Sequence, residues 1–305
     1  MKTVRGVSRK ISSSRRGCSC AFVVVTVVVL VLWWILWSAR FSDDMMLVAA
    51  MIFVAVALYW QPDWLATVVE AISPSEVIWR IPIADGQNRA ALTIDDVPLL
   101  ENPTHLEELL NILRKHGVKA TFFIMSGFDL SPAEGGMEAS KRRRCRELLK
   151  KAVSEGHELA NHLQFDRPAI AMSEEEFDEA FVHCDKFLAE MAGGEQAWRS
   201  RPARWFRPAS AMWNEHMLQK ANDYGYKTVI SNCYPHDVAA VTRFFNSWYL
   251  TRRARPGAII VVHDRWHTPK TLDAALPAIR RRGVQLCTLS QLAGDARELK
   301  SQKRA

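Results

Sequence analysis

Ala90-Ala91-Leu92-Thr93-Ile94-Asp95-Asp96 reads as a short apolar strand that ends in two adjacent acids. Four later segments have the same build: Asn161-His162 with Asp166, Phe206-Arg207-Pro208, Tyr234-Pro235-His236-Asp237, and Val261-Val262-His263-Asp264. Each falls where a strand runs out, and strand ends are where α/β folds and barrels place their chemistry. Acids, histidines and an arginine gathered on successive strand ends are the raw material of metal-assisted hydrolysis.

Between these segments the sequence alternates strand and helix signals. Thr104 and Glu107 form a capping box ahead of Leu106, Leu109, Leu110 and Leu113 at helical spacing, closed by Gly117. Residues 120–125 read as a buried strand, followed by a basic helix up to Gly156 and a strand over 158–161. A helix capped by Ser173 with Glu176, a strand over 204–206, a helix from Asn214 to Gly225 and a strand over 227–231 continue the pattern. Strands over 257–262 and 284–289, with a helix over 277–282 between them, complete it. This βαβα order predicts a largely parallel sheet closed, or nearly closed, into a barrel.

The formal charge of +7 is concentrated at the start of the chain, where Lys2, Arg5, Arg9, Lys10, Arg15 and Arg16 meet no acid. The remainder nearly balances, which argues against a nucleic-acid footprint. The basic runs at 141–144 and 280–282 read as solvated helix flanks. Residues 21–39 are apolar over about the length a bilayer needs, and a second apolar run covers 45–60. Trp33, Trp34 and Trp37 leave no small-residue cleavage site, so we expect an uncleaved anchor of one or two transmembrane helices. One span with a cytosolic basic tail puts the main domain in the lumen or outside the cell; two return it to the cytosol. The expectation is lumenal or extracellular. The expected organisation is a basic tail (1–20), an anchor (21–60), a linker (61–87), the main domain (88–297) and a polar tail (298–305). Cys145, Cys184, Cys233 and Cys287 make no C-x-x-C pair, so a zinc ribbon is not indicated.

The order T-I-D-D, A-T-F-F-I from Ala120, G-H-E-L-A-N-H, F-R-P, Y-P-H-D and G-A-I-I-V-V-H-D resembles the polysaccharide deacetylases of the NodB-homology group, carbohydrate esterase family 4, over residues 88–294. The resemblance implies a distorted (β/α) barrel of the NodB type that removes acetyl groups from N-acetylglucosamine-containing glycans with a divalent metal. Zinc is the first expectation, with manganese, iron or cobalt as alternatives. It also implies Asp95 as catalytic base, Asp96 and His162 as metal ligands, Arg207 as the arginine that orients the base, Asp237 as the aspartate that orients a histidine, and His263 as that histidine, the general acid.

The chain departs from the family at several positions. Asp166 stands where the second histidine of H-x-x-x-H belongs, Val238 replaces the usual tryptophan, and Ala211 replaces a glycine. A carboxylate ligates zinc and harder metals, so Asp96, His162 and Asp166 are a chemically sound ligand set. The expected partners are an N-acetylated glycan and a membrane, with oligomeric state open. Two alternatives stand beside the enzyme: a catalytically dead, membrane-anchored sugar-binding or scaffold protein, and a small-molecule amidohydrolase on the same barrel.

Overall fold

The computed structural model describes residues 43–83, 86–100, 105–238 and 242–294. It opens with helices α1 (Asp43–Trp60) and α2 (Asp63–Ile72) and strand β1 (Val77–Ile78). There follow β2 (Arg89–Val97), α3 (Leu106–His116), β3 (Thr121–Ile124), α4 (Ala139–Ser154), β4 (Glu158–Asn161), α5 (Glu174–Met191) and α6 (Glu195–Arg199). The rest is β5 (Arg204–Phe206), α7 (Glu215–Asp223), β6 (Tyr226–Val229), α8 (Arg243–Arg253), β7 (Ile259–His263), α9 (Thr268–Arg281) and β8 (Gln285–Cys287).

The strands form one sheet in the order β1-β6-β5-β4-β3-β2-β7, with β8 also on β2, and every pairing is parallel. Parallel strands need covering on both faces, which is why their burial is continuous rather than alternating. The sheet curls until the chain after β6 reaches β7: Cys233 bridges Ile260, and Val261 N donates to Cys233 O at 3.0 Å. A single bridge makes the closure incomplete, as the expected distorted barrel requires.

Local signals place most helices. Ser173 and Glu176 form the expected reciprocal cap on α5, Asn214 caps α7 by accepting from Met217 N at 2.9 Å, and Gly117 ends α3 at φ 64°. Two boundaries differ. Thr104 lies outside the described residues, and His105 is the N-cap of α3. α9 starts nine residues before the expected Pro277, which sits inside the helix. Leu272, Ala275, Leu276 and Ile279 bury one face of α9 there, and that packing outweighs the single backbone bond a proline removes. Among the described residues Cys145, Cys184, Cys233 and Cys287 are buried and form no disulfide.

Residues 61–87 are a correction to the expected linker, because α2 and β1 are built into the fold. β1 pairs with β6, and the turn between α1 and α2 is pinned to the barrel. Arg255 pairs with Asp63, Arg253 donates to Gln61 O, and Trp60 packs on Trp248 and Tyr249 with ring centroids 5.2 and 5.6 Å away. The expected second span is also revised: among the described residues no single helix is long and apolar enough to cross a membrane. Leu47–Trp60 and Asp63–Ile72 reach that length and apolarity together but are bent by 79° at the break. Residues 21–39, the expected first span, lie outside the described residues.

Gly127 positions the loop that carries Asp166. A Cβ there would run into Gln164 O and the Phe165 ring. We expect Gly127→Ala to cost about 1–3 kcal/mol in denaturant unfolding, the range typical of overpacking. An unchanged midpoint would show that the loop yields freely.

Candidate active site

Four strand ends and the chain after β6 converge on one cavity of about 390 Å³, whose lining includes Asp95, Asp96, His162, Asp166, Arg207 and His263. In a regular strand the two adjacent aspartates would point to opposite faces. The register of β2 on β3 breaks between Ile94 and Val97, and Asp96 takes φ 58°. This bulge turns both carboxylates into the same cavity. Leu163, Ser210, Ala211 and His236 also have positive φ, so the unusual backbone gathers around the site. Ala211 keeps a left-handed conformation, at φ 53°, in the place where the resemblance calls for glycine.

Arg207 is the most heavily bonded side chain here. Its Nη1 donates to Asp95 Oδ1 at 2.5 Å and Thr93 Oγ1 at 2.8 Å, its Nε to Val229 O at 3.2 Å and its Nη2 to Ile230 O at 2.9 Å. The guanidinium lies over the Phe123 ring, 4.0 Å from its centroid. One carboxylate oxygen of Asp95 is thereby fixed; the other, Oδ2, lies 3.9 Å from His162 Nε2.

His263 is the register partner of Asp95 across β2 and β7. Asp237 holds it twice, accepting from the His263 backbone N and from the ring Nδ1, each at 2.8 Å. Burial opposes a charge on this imidazole, but Asp237, with help from Asp96 and Asp95, outweighs burial and raises its pKa to about 9. Nε2 is the ring nitrogen left to work. Tyr234 packs edge-on against the same ring, 5.5 Å between centroids.

His162 Nδ1 donates to Arg207 O at 2.7 Å, which turns Nε2 toward Asp96 Oδ1 at 3.3 Å. A backbone carbonyl on Nδ1 is the usual way a protein orients a metal-binding imidazole. Burial raises the Asp96 pKa, but the hydrogen bond from His162 and the charges of His263, His162 and Arg265 reverse that and leave it well below the usual carboxylate range. Burial also opposes a charge on His162, and Asp95 and Asp96 overcome it.

Asp96 Oδ1 and His162 Nε2 therefore fit two adjacent corners of a divalent-metal site. Asp166 reaches the wall of the same cavity, but its side chain is 56% exposed and it does not complete the set. Among the described residues no group of three or more His, Cys, Asp or Glu side chains is arranged to hold a metal ion. Instead Arg265, which the motif reading passed over, donates from Nη2 to Asp96 Oδ2 at 2.7 Å and lies 4.0 Å from Asp166 Oδ2. Its one sequence signal is an arginine two residues beyond His263. Gln61 was also missed: its Oε1 accepts from Tyr234 N at 3.1 Å, and its Nε2 lies 3.4 Å from His236 Nε2. Nothing local in a stretch read as linker marks that role.

A family model described as polysaccharide deacetylase matches residues 83–229, which hold Asp95, Asp96, His162, Asp166 and Arg207. Over these residues the chain is similar to the polysaccharide deacetylase family. It is a hydrolase of the polysaccharide N-deacetylase kind. Among its relatives is the peptidoglycan-N-acetylglucosamine deacetylase of Bacillus cereus, 29% identical over 224 residues that cover 71% of this chain and 92% of the relative. The chitooligosaccharide deacetylase of a Bradyrhizobium species is 29% identical over 224 residues, covering 68% and 91%. Two solved structures share the fold. A peptidoglycan N-acetylglucosamine deacetylase superposes with a TM-score of 0.58 at 22% identity, over 71% of this chain and 92% of that one. A carbohydrate esterase family 4 pseudoenzyme from Bacillus anthracis gives 0.56 at 21%, over 74% and 71%.

In this deacetylase the Asp237–His263 pair makes a measurable prediction. The His263 resonance should titrate near pH 9 by NMR, and Asp237→Asn should bring that midpoint down. The raised pKa stabilises the fold fully below the ordinary histidine value of 6.5, and this contribution is lost as pH rises through about 9. A midpoint near 6.5 in the parent chain would contradict the pairing.

Proposed function

We propose that this chain removes N-acetyl groups from N-acetylglucosamine-containing glycans, hydrolysing a carbon–nitrogen bond that is not a peptide bond, with Asp95 as base and His263 as acid. The supporting observation is the juxtaposition of two ion pairs on neighbouring strands: Asp95 held by Arg207 and His263 held by Asp237. A carboxylate and an imidazolium fixed side by side can supply a base and an acid to one reaction.

Asp95 Oδ2 is the oxygen free to take a proton from an attacking water, while Oδ1 stays locked to Arg207. His263 enters the reaction charged at neutral pH and donates from Nε2 to the departing amine. The products are acetate and a free amino sugar. Ile230, Val261 and Tyr234 give the cavity an apolar wall of the size an acetyl methyl needs. The larger neighbouring cleft, about 870 Å³, presents Phe165 and Trp266, whose faces suit sugar rings. A divalent metal, zinc first, bound by Asp96, His162 and Asp166 would polarise the acetamide carbonyl and make water more acidic.

The chain also carries a membrane-facing surface in this reading. Met51, Ile52, Phe53 and Val56 of α1 are exposed, and Phe244, Phe245 and Trp248 of α8 extend the apolar surface beside Trp60. Together with the apolar residues 21–39 they support a membrane-anchored enzyme, with the catalytic domain in the lumen or outside the cell.

Asp95→Asn should lower turnover of N-acetylglucosamine oligomers by about 10²–10⁴-fold, the usual worth of a positioned base, while metal content stays unchanged. Asp166→Ala should lose most of the bound divalent ion by elemental analysis; full occupancy would remove Asp166 from the ligand set. A preference for single acylated amines over oligomers would favour the small-molecule amidohydrolase. Absent turnover with intact sugar binding would favour the scaffold reading. For topology, a glycosylation sequon placed at the exposed Glu134–Gly135 turn should be modified in a lumenal domain. An unmodified site together with cleavage by protease outside intact microsomes would place the domain in the cytosol.

A further inference from the structure

Arg265 brings a positive charge into the place where a cation would be held. It directly follows Asp264, and its Nη1 donates to Asp264 O at 3.2 Å, which anchors the base of the guanidinium. Its Nη2 then reaches the Asp96 oxygen that does not face His162, at 2.7 Å, and stands 4.0 Å from Asp166 Oδ2. The same nitrogen therefore addresses both carboxylates of the expected ligand set. The Arg265 side chain is only 18% exposed and Asp96 is buried, so water screens this contact little. Each Asp96 oxygen has a cationic or imidazole partner in this arrangement, one in His162 and the other in Arg265.

A divalent ion on Asp96, His162 and Asp166 needs that arrangement undone. Nη2 and the metal would compete for the same carboxylates, and two cations within a few ångströms repel strongly in a buried site. Space for the displaced side chain exists: Arg265 lines both the catalytic cavity and the wider cleft with Trp266 and Phe165. We propose that Arg265 is an internal competitor for the metal site, a tethered cation that holds Asp96 and Asp166 when no ion is bound and must swing toward the wider cleft for an ion to enter. It acts on the ligands rather than on substrate, so it is a positioning residue. The inference rests on Asp96, His162 and Asp166 being the ligands, but not on the identity of the glycan or on turnover.

The test is calorimetric titration of the full chain, stripped of metal, with zinc and separately with manganese, so that binding is read apart from catalysis. Arg265→Met keeps the length of the side chain and removes its charge, and it should bind the ions at least about tenfold more tightly than the parent, a change of the size that groups beside metal ligands produce. Arg265→Lys keeps a cation and should stay within a few-fold of the parent. Arg265→Lys should unfold at a temperature close to the parent's, and Arg265→Met, which leaves a buried Asp96 oxygen without its partner, below it. An Arg265→Met affinity equal to or weaker than the parent's in a folded protein overturns the proposal, as does equal tightening in Arg265→Lys. If Arg265→Met fails to fold, Arg265→Gln carries the same test: it also removes the charge and should tighten metal binding at least about tenfold, and an affinity equal to or weaker than the parent's overturns the proposal. Failure of deacetylation with tightened metal binding would leave this inference intact and remove the proposed reaction.

Discussion

The Arg207 guanidinium is the part on which the rest of the site depends. It is buried, which opposes its charge, and it is held by one carboxylate, one hydroxyl and two backbone carbonyls drawn from β2, β6 and the turn after β6. A buried charge stripped of its partner costs several kcal/mol, so the pair with Asp95 and the carbonyl cradle are mutually required. The planar fork matters as much as the charge. Four acceptors at fixed angles are a specification that a lysine, with one nitrogen, does not meet. Through its own carbonyl Arg207 also orients His162, so the Asp95 carboxylate and the His162 imidazole are set by one residue.

That cradle exists because the parallel strands bring their C-terminal ends to one rim. Asp95 leaves β2, His162 follows β4, Arg207 follows β5 and His263 ends β7. Register then decides which residues meet, and it places His263 beside Asp95. The bulge at Asp96 adds what register alone does not, a second carboxylate on the same side of the strand. Positive φ at five non-glycine residues around the rim is conformational cost concentrated at the site and held in place by the hydrogen bonds around it.

The N-terminal elements reach the site from behind. Tyr59 stacks on His236 at 5.2 Å, and Gln61 binds both the Tyr234 backbone and Tyr249. His236 and Tyr234 precede Asp237, the residue that keeps His263 charged. The segment between the apolar N-terminal run and the barrel is thus part of the wall behind His263, and its apolar outer face is continuous with α8 through Trp60 and Trp248.

The sequence alone determined the alternation of strands and helices, the strand-end positions of the acids, histidines and arginine, and hence the family resemblance, because short motifs fixed by backbone geometry are written locally. Caps at Ser173 and Asn214 are local for the same reason: donor and acceptor lie within three residues. The tertiary structure decided what depends on groups distant in the chain. It built α2 and β1, within the stretch read as a linker, into the fold, since β1 is recognised only by pairing with a strand some 150 residues later. It carried α9 through Pro277, because burial of its apolar face is worth more than local propensity. It separated Asp166 from Asp96 and set Arg265 beside both, a placement invisible in a motif because a charge finds its partner through space.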